Sequence, residues 1–244
     1  CCGIPEEYGG PGADFLYNMV LSEEVGFAVG GASVGFSVSS DIVAYYLLHN
    51  GSEEQKQRWL PEMVTGNSIA AIGMTEPGCG SDLKAVKTSA VRDGDEWVIN
   101  GEKHYISGAG DPRCKIMIVM VKTEPDAAKH VQQSQILVPM DTPGVENIRP
   151  MNVFSMDDAP HGHMHQRYTN VRVPKENILL GSGRGFEISQ GRLGPGRIHH
   201  CMRALGAAEK STEISTKWTK ETLAKLTDIS KAKAEPADYA KAMT

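Results

Sequence analysis

The spacing of apolar residues changes at Ile69, and this change constrains the fold more than any other feature of the sequence. Before Ile69 apolar residues recur at helical spacing, with Asp14 suited to cap one helix and Ser52 with Gln55 forming a capping box for another. After Ile69 the apolar runs are short and are bounded by turn residues such as Asp93-Gly94. The sequence therefore predicts a helical segment followed by a β-domain.

Short strands without helical spacing between them indicate an antiparallel barrel or sandwich. Candidate strands cover Ile116 to Val121, Gln135 to Val138 and about Gln166 to Val173, and Asn100-Gly101 predicts a second turn. Helical spacing returns after Gly185.

We expect an α+β multidomain chain. An N-terminal helical domain is predicted over residues 1–68, a middle β-domain over residues 69–182, and a truncated C-terminal helical segment over residues 183–244. Gly194-Pro195-Gly196 is expected to break or bend the last helix. Sparse apolar residues predict a marginal helix and a loose tail from about residue 210.

Composition excludes several classes of protein. A formal net charge of -5 gives no basic excess for nucleic acid, and no apolar run approaches the roughly 20 residues of a membrane span. Five cysteines without paired CxxC spacing favour a reducing, intracellular compartment. We expect a mitochondrial location in a eukaryote and a cytoplasmic one otherwise, with the peroxisome as an alternative. Because the first residue is not Met, we also expect a longer natural N-terminus.

A turn rich in small and polar residues follows the first predicted strand: Ile72-Gly73-Met74-Thr75-Glu76-Pro77-Gly78-Cys79-Gly80-Ser81-Asp82. Its glycines and proline let backbone amides approach a ligand, and Thr75 and Ser81 add hydroxyl groups. A bent backbone of this kind suits phosphates or ring heteroatoms. Taken alone, however, such a composition more often marks an ordinary surface turn.

Three further stretches accompany this turn: Gly3-Ile4-Pro5-Glu6-Glu7-Tyr8-Gly9-Gly10, Asn100-Gly101-Glu102-Lys103-His104-Tyr105-Ile106-Ser107-Gly108-Ala109-Gly110 and Val173-Pro174-Lys175-Glu176-Asn177-Ile178-Leu179. Together with the turn, they resemble the acyl-CoA dehydrogenase family over residues 3 to about 209. The stretch from Gly191 to Arg203 is most similar to the branch of that family often fused to a phosphotransferase-like domain.

The resemblance implies an FAD-dependent enzyme of fatty-acid oxidation that dehydrogenates acyl-CoA thioesters between the α and β carbons. It also implies an electron-transfer flavoprotein or similar acceptor as partner, and a homo-oligomer for the complete protein. The implied flavin contacts are Ile72, Met74, Thr75, Gly80, Ser81, Tyr105, Ile106 and Ser107, and the implied substrate contacts are Ser81, Gly194 and Arg197.

Particular roles come with the resemblance. Thr75 and Ser107 would donate hydroxyl protons to the edge of the isoalloxazine, and Tyr105 would form an aromatic wall against the ring. Gly80 and Ser81 would lie beside the pyrophosphate and CoA. Tyr105 stands where the family commonly has Trp, and Ser107 where Thr is commoner, but both keep the chemical type.

No catalytic base is identified. The family's base is usually a Glu in later C-terminal helices, and this chain ends before them; other members carry it immediately before the arginine matched by Arg197. Here that position is Gly196, which cannot accept a proton. We therefore expect the chain as given to keep flavin and substrate contacts and to dehydrogenate poorly or not at all.

Two alternatives remain open. The chain could be a non-catalytic acyl-CoA or flavin-binding module, or a metal protein in which His161, His163 and His165 share one face of a strand. Because no carboxylate or cysteine cluster adjoins these histidines, we expect no metal site.

Overall fold

The computed structural model describes residues 1–28, 37–159 and 162–231. The described residues form two compact units. The first contains residues 1–18, 37–159 and 162–198, and the second contains residues 19–28 and 199–231. Within the described ranges no helix is both long and apolar enough to cross a membrane.

Three helices precede the sheet: α1 (Phe15–Ala28), α2 (Ala44–Asn50) and α3 (Glu53–Thr65). The two predicted N-terminal caps are confirmed, since Asp14 accepts from the Leu16 amide at 2.8 Å and Ser52 forms a full capping box with Gln55. The small residues from Val29 to Ser40, followed by the apolar run from Ile42 to Leu48, predict a further helix, and residues 29–36 of it lie outside the described residues. Its end is seen as a π-helical turn, Val38–Val43, that leads into α2.

The sequence predicts that Leu16, Met19, Val20 and Phe27 form one apolar face of α1, and this face is only partly buried. Met19 is buried, but Leu16 is 67% exposed and Val20 is 57% exposed. Apolar residues occur around the whole circumference of this helix, so their spacing does not identify one buried side.

The middle of the chain forms a curled seven-stranded sheet in the described residues. Its strands are β1 (Ile69–Gly73), β2 (Ser89–Asp93), β3 (Glu96–Ser107), β4 (Cys114–Lys122), β5 (Gln133–Pro139), β6 (Val145–Pro150) and β7 (His163–Pro174). The order is β1-β4-β2-β3-β7-β6, and β5 pairs with β4. The predicted fold class, helical segment, β-domain and C-terminal helix, is confirmed.

The sheet is mixed, so the prediction of a purely antiparallel arrangement is wrong in this respect. β1 pairs in parallel with β4, from Ile69 beside Cys114 to Gly73 beside Val119, while the β2–β3 hairpin is antiparallel. The chain between β1 and β4 contains that hairpin, and this long connection brings β4 back in the same direction as β1.

β4 is buried on both faces. Met117, Val119 and Val121 pack into a core enclosed by the sheet, whereas Ile116 and Ile118 pack into a second core with the N-terminal helices. Because successive side chains of a strand point to opposite faces, two cores require an uninterrupted apolar strand. This requirement explains the run of apolar residues in β4.

The turn predicted at Asn100-Gly101 is absent from β3, which continues through these residues. The pairing with β7 shifts here. Ile99 lies opposite Val171 and Gly101 opposite Tyr168, so two steps along β3 match three steps along β7. The Asn100 side chain instead accepts from the Asn170 amide at 2.8 Å. An Asn-Gly pair therefore marks a bulge between strands and not a chain reversal.

The C-terminal helix α4 runs without interruption from Gly185 to Lys231 and contains Pro195. The helix is therefore not broken at Gly194-Pro195-Gly196, and a bend at this point stays a prediction. A proline removes one backbone hydrogen bond, and the remaining bonds of a long helix can carry the chain past it. The predicted tail is helical from residue 210 to Lys231, and residues 232–244 lie outside the described residues.

Candidate functional site

A β-bulge in β3 shapes the centre of the candidate site. Lys103 lies opposite Gln166 and Ile106 opposite Met164, so three steps along β3 match two steps along β7. The extra residue allows both Lys103 and Ile106 to be buried. Tyr105, within the bulge, has a φ of 58° and is 46% exposed. A non-glycine residue at positive φ is strained, and such strain is often found at functional sites.

A buried ion pair joins the turn after β1 to this bulge. Lys103 Nζ lies 2.9 Å from Glu76 Oε1 and donates to the Met74 carbonyl at 3.1 Å. The Glu76 carboxylate also accepts from the backbone amides of Lys87 at 2.7 Å and Thr88 at 2.9 Å. The turn is thus fixed from two directions.

Burial of Glu76 disfavours its charged form, but the charge of Lys103 and the hydrogen bonds from Thr88 and Lys87 outweigh this effect. They hold the pKa of Glu76 below its ordinary value. Burial lowers the pKa of Lys103, and Glu76 opposes that change.

Thr75 contacts β3 directly beside Tyr105. The Thr75 carbonyl accepts from the His104 amide at 2.9 Å, and the Thr75 hydroxyl donates to the His104 carbonyl. The His104 ring packs edge-on against Tyr105, with ring centroids 4.7 Å apart. The structure therefore brings Thr75 to the same bulge as Tyr105.

Ser107, at the end of β3, lies opposite His163 of β7. Its Oγ is 2.8 Å from His163 Nδ1, and His163 Nε2 is 2.6 Å from Asp158 Oδ2. On the same strand, His165 Nε2 is 2.9 Å from Glu102 Oε2. Sequence reasoning missed both partners. Glu102 is 63 residues away from His165 in the chain, and Asp158 lies in a loop whose course before β7 the sequence does not indicate.

The histidine-rich stretch does not assemble into a metal site in the part of the chain that the structure describes, where no three His, Cys, Asp or Glu side chains converge. His163 and His165 each contact a different carboxylate. His161 lies outside the described residues.

A cavity of about 250 Å³ borders the turn. Two of the predicted residues, Met74 and Ser81, line it. Asp82, the last residue of the predicted turn, also lines it, and sequence reasoning missed the remaining walls: Tyr46, Leu83, Lys84, Met120, Gln133, Phe186, Ser189 and Gln190. The sequence indicated only the helix after Gly185, and the first turns of that helix supply Phe186 and Gln190.

A second cavity, of about 470 Å³, lies between α2 and the start of α4. Tyr46 borders both cavities. The walls of the larger one are mostly apolar, but the buried Asp41 is among them and accepts from Asn18 at 3.0 Å and Ser40 at 2.9 Å. The Tyr46 side chain therefore lies at the boundary of both cavities.

The other predicted site residues are more scattered. Ile72 pairs with Ile118 in the sheet, and the Ile106 side chain is buried in the sheet core, so only its backbone could face a ligand. Gly80 is exposed in the turn. Gly194 and Arg197 are exposed on α4, beyond the residues of that helix that border the smaller cavity.

The arrangement suits a flat heteroaromatic group with a phosphate tail. Tyr105 offers an exposed ring, and Thr75 and Ser107 place hydroxyl oxygens along β3. The turn is open at Gly78 and Gly80, where an added Cβ would meet no atom within 4 Å. Backbone groups at these positions are therefore accessible to a ligand.

Both domains of this chain match those of one known family. Residues 1–67 match the model of the acyl-CoA dehydrogenase N-terminal domain, and residues 71–168 match the model of the middle domain. Mouse acyl-CoA dehydrogenase family member 10 is 52% identical over 169 residues, which are 69% of this chain and 16% of that protein. Mouse family member 11 is 48% identical over 199 residues, 80% of this chain and 26% of that protein.

The fold is shared with a crystal structure of acyl-CoA dehydrogenase from Geobacillus kaustophilus. The TM-score is 0.80 at 36% identity, over 89% of this chain and 56% of the other. The chain thus spans about half of this solved structure and about a quarter or less of the two mouse relatives. Two matching domains, in the order expected from the motifs, show that this chain belongs to the acyl-CoA dehydrogenase family.

Proposed function

We propose that this chain binds FAD at the β3 bulge and an acyl-CoA thioester beside it, as part of a protein that carries out α,β-dehydrogenation in fatty-acid oxidation. The observation that carries this proposal is the strained, exposed Tyr105, held beside Thr75 by the contacts with His104. Bound FAD would accept the electrons removed from the acyl chain. An electron-transfer flavoprotein or a similar acceptor would then reoxidise it.

The residues of the chain would bind and orient. Tyr105 would cover one face of the ring, and the turn from Met74 to Ser81 would contact the pyrophosphate and CoA through its backbone and the Ser81 hydroxyl. The buried Glu76–Lys103 pair would hold that turn in place and would not itself contact the ligand. The acyl chain would extend from the cavity beside Ser81 toward the apolar space beyond Tyr46.

The flavin contacts can be tested by titrating the purified chain with FAD and following the absorbance and fluorescence of the flavin. Tyr105→Ala should weaken binding at least tenfold, because the stacking surface is lost. Val91→Ala is a matched control, since Val91 is an exposed residue of β2, 64% accessible. Equal FAD affinity of the wild type and Tyr105→Ala would contradict the proposed site.

A second candidate, a non-catalytic acyl-CoA or flavin-binding module, is favoured by one observation. Gly196, in α4 immediately before Arg197, provides no carboxylate at a position where some family members carry the base. We propose that this chain by itself binds both ligands and turns over acyl-CoA slowly. Reduction of an artificial electron acceptor in the presence of acyl-CoA measures this turnover. Rates typical of an enzyme would contradict the proposal that the chain lacks its base.

Replacement of Gly196 separates the two candidates. Gly196→Glu would supply a carboxylate, and Gly196→Gln has nearly the same size without a base. Turnover that rises in the Glu variant and not in the Gln variant would show a competent site that lacks only its base. Equal, negligible turnover in both variants, with ligand binding retained, would favour the binding module.

A further inference from the structure

A continuous hydrogen-bonded chain connects Asp158, His163 and Ser107. The distances are 2.6 Å from Asp158 Oδ2 to His163 Nε2 and 2.8 Å from His163 Nδ1 to Ser107 Oγ. His163 and Ser107 are direct cross-strand neighbours, and Asp158 reaches the imidazole from the loop before β7, where its φ is 52°. Both nitrogens of the imidazole therefore have defined partners.

The chemistry of the three groups sets the direction of these hydrogen bonds. A carboxylate can only accept, so His163 Nε2 must carry the proton that it shares with Asp158. In a neutral imidazole the other nitrogen, Nδ1, is then an acceptor. Ser107 must donate its hydroxyl proton to Nδ1, which leaves only lone pairs for any further partner.

This result reverses the role expected for Ser107. A serine hydroxyl has a single proton, and a neutral His163 with its own proton on Nε2 takes that proton as the acceptor. The Thr75 hydroxyl likewise donates within the chain, to the His104 carbonyl. The two hydroxyls expected to donate to a flavin edge thus both present acceptor oxygens.

We infer that His163, oriented by Asp158, is a positioning residue that makes Ser107 a hydrogen-bond acceptor toward bound flavin. This inference rests on the proposed function, because it requires the flavin to lie at Ser107. A two-electron-reduced flavin ring carries more N–H donors than the oxidised ring. An acceptor fixed at Ser107 therefore favours the reduced form over the oxidised form.

The same three side-chain types occur in nucleophilic triads, in which the serine attacks an acyl group. Such an attack needs amide donors that stabilise the oxyanion. The amide that follows the serine, Gly108 N–H, is directed to the Gly162 carbonyl at 3.0 Å. The structure therefore favours positioning of the Ser107 hydroxyl over nucleophilic attack.

The tautomer of His163 provides a test that needs no flavin. In ¹⁵N NMR of the chain with labelled histidine, the neutral wild-type His163 should show the Nε2–H tautomer. Asp158→Asn should move the equilibrium toward Nδ1–H, because the amide can donate to Nε2. Asp157→Asn is the matched control and should leave the tautomer unchanged. A wild-type Nδ1–H tautomer would overturn the inference.

A second measurement compares the dissociation constants of oxidised and reduced FAD under anaerobic conditions. His163→Leu should lower the preference for reduced FAD about fivefold, the equivalent of one ordinary hydrogen bond. Ser107→Ala should act in the same direction. His165→Leu, two residues along β7 and bound to Glu102, is the control and should leave the preference unchanged.

Besides the Nδ1–H tautomer, three results would overturn the inference. The first is an unchanged preference in His163→Leu. The second is release of free CoA from an acyl-CoA that depends on both Ser107 and His163, since this would assign a nucleophile. The third is failure of the wild type to bind FAD. This third result would also refute the proposed function, whatever the tautomer of His163. The first two results would leave the proposed function intact.

Discussion

Lys103 and Glu76 form an ion pair within the β-domain, with 2.9 Å between Nζ and Oε1 and a Lys103 side chain that is fully buried. The pair ties the turn after β1 to the bulge of β3. Its position close to Tyr105 and Thr75 makes it a support of the candidate flavin site, although neither side chain is expected to touch the ligand.

Loss of either partner should destabilise the protein strongly. Glu76→Gln and Lys103→Met should each lower the free energy of unfolding by about 3–5 kcal/mol, because each leaves a buried charge without its partner. The double variant should lose less than the sum of the two. Urea denaturation of the four proteins measures this coupling.

The matched control is the exposed pair of Lys175 and Asp95, whose charged atoms are 2.7 Å apart. Asp95→Asn should leave the urea midpoint almost unchanged, since solvent screens this pair. The predicted coupling would be contradicted if the double variant lost as much free energy of unfolding as the two single variants together.

The same carboxylate should contribute to acid sensitivity. The folded pKa of Glu76 lies below its ordinary value of 4.5. Its stabilising effect is therefore fully present above about pH 4.5 and is lost as the pH falls through the lower folded pKa. Stability of the wild type measured from pH 7 to pH 3 should fall more steeply below pH 4.5 than that of Glu76→Gln; parallel curves would contradict this assignment.

Tyr105 should show a trade-off between stability and binding. Tyr105→Asn replaces a strained residue by one that tolerates positive φ, and should leave the free energy of unfolding unchanged or raise it by up to about 1 kcal/mol. The same substitution removes the aromatic wall and should weaken FAD binding at least tenfold. Thermal unfolding and FAD titration measure the two effects.

Leu180 provides the control for this prediction. It also has a positive φ, 59°, and is 40% exposed, but it does not belong to the bulge. Leu180→Asn should relieve strain without changing FAD affinity. If Tyr105→Asn bound FAD as tightly as the wild type, the ring would have no stacking role.

Features that depend on neighbouring residues could be predicted from the sequence. The Asp14 cap, the Ser52 capping box and the hairpin at Asp93-Gly94 all follow from side chains within a few residues. The same local logic failed at Asn100-Gly101, because β3 pairs with β2 on one side and β7 on the other, and these long-range pairings override a turn preference.

Much of the candidate site could not be predicted, because its contacts join residues that are distant in sequence. Lysine is normally exposed, so nothing local indicated that Lys103 is buried against Glu76. The parallel pairing of β1 with β4 likewise has no local signal. The motif identified Ser107, but only the strand register revealed that its hydroxyl lies beside His163.

Close helix packing gives the last prediction, in the second compact unit. A Cβ added at Gly206 of α4 would overlap the Glu23 carbonyl of α1, and one added at Gly26 would overlap the Arg203 carbonyl. Both atoms are backbone and cannot rotate away, so Gly206→Ala should force the two helices apart and destabilise this unit by about 1–3 kcal/mol. Gly191→Ala, also in α4, meets no atom within 4 Å and should stabilise the helix by up to about 1 kcal/mol. Hydrogen exchange of α1 amides should accelerate in the first variant and not in the second; equal protection in both would show that the helices can separate without cost.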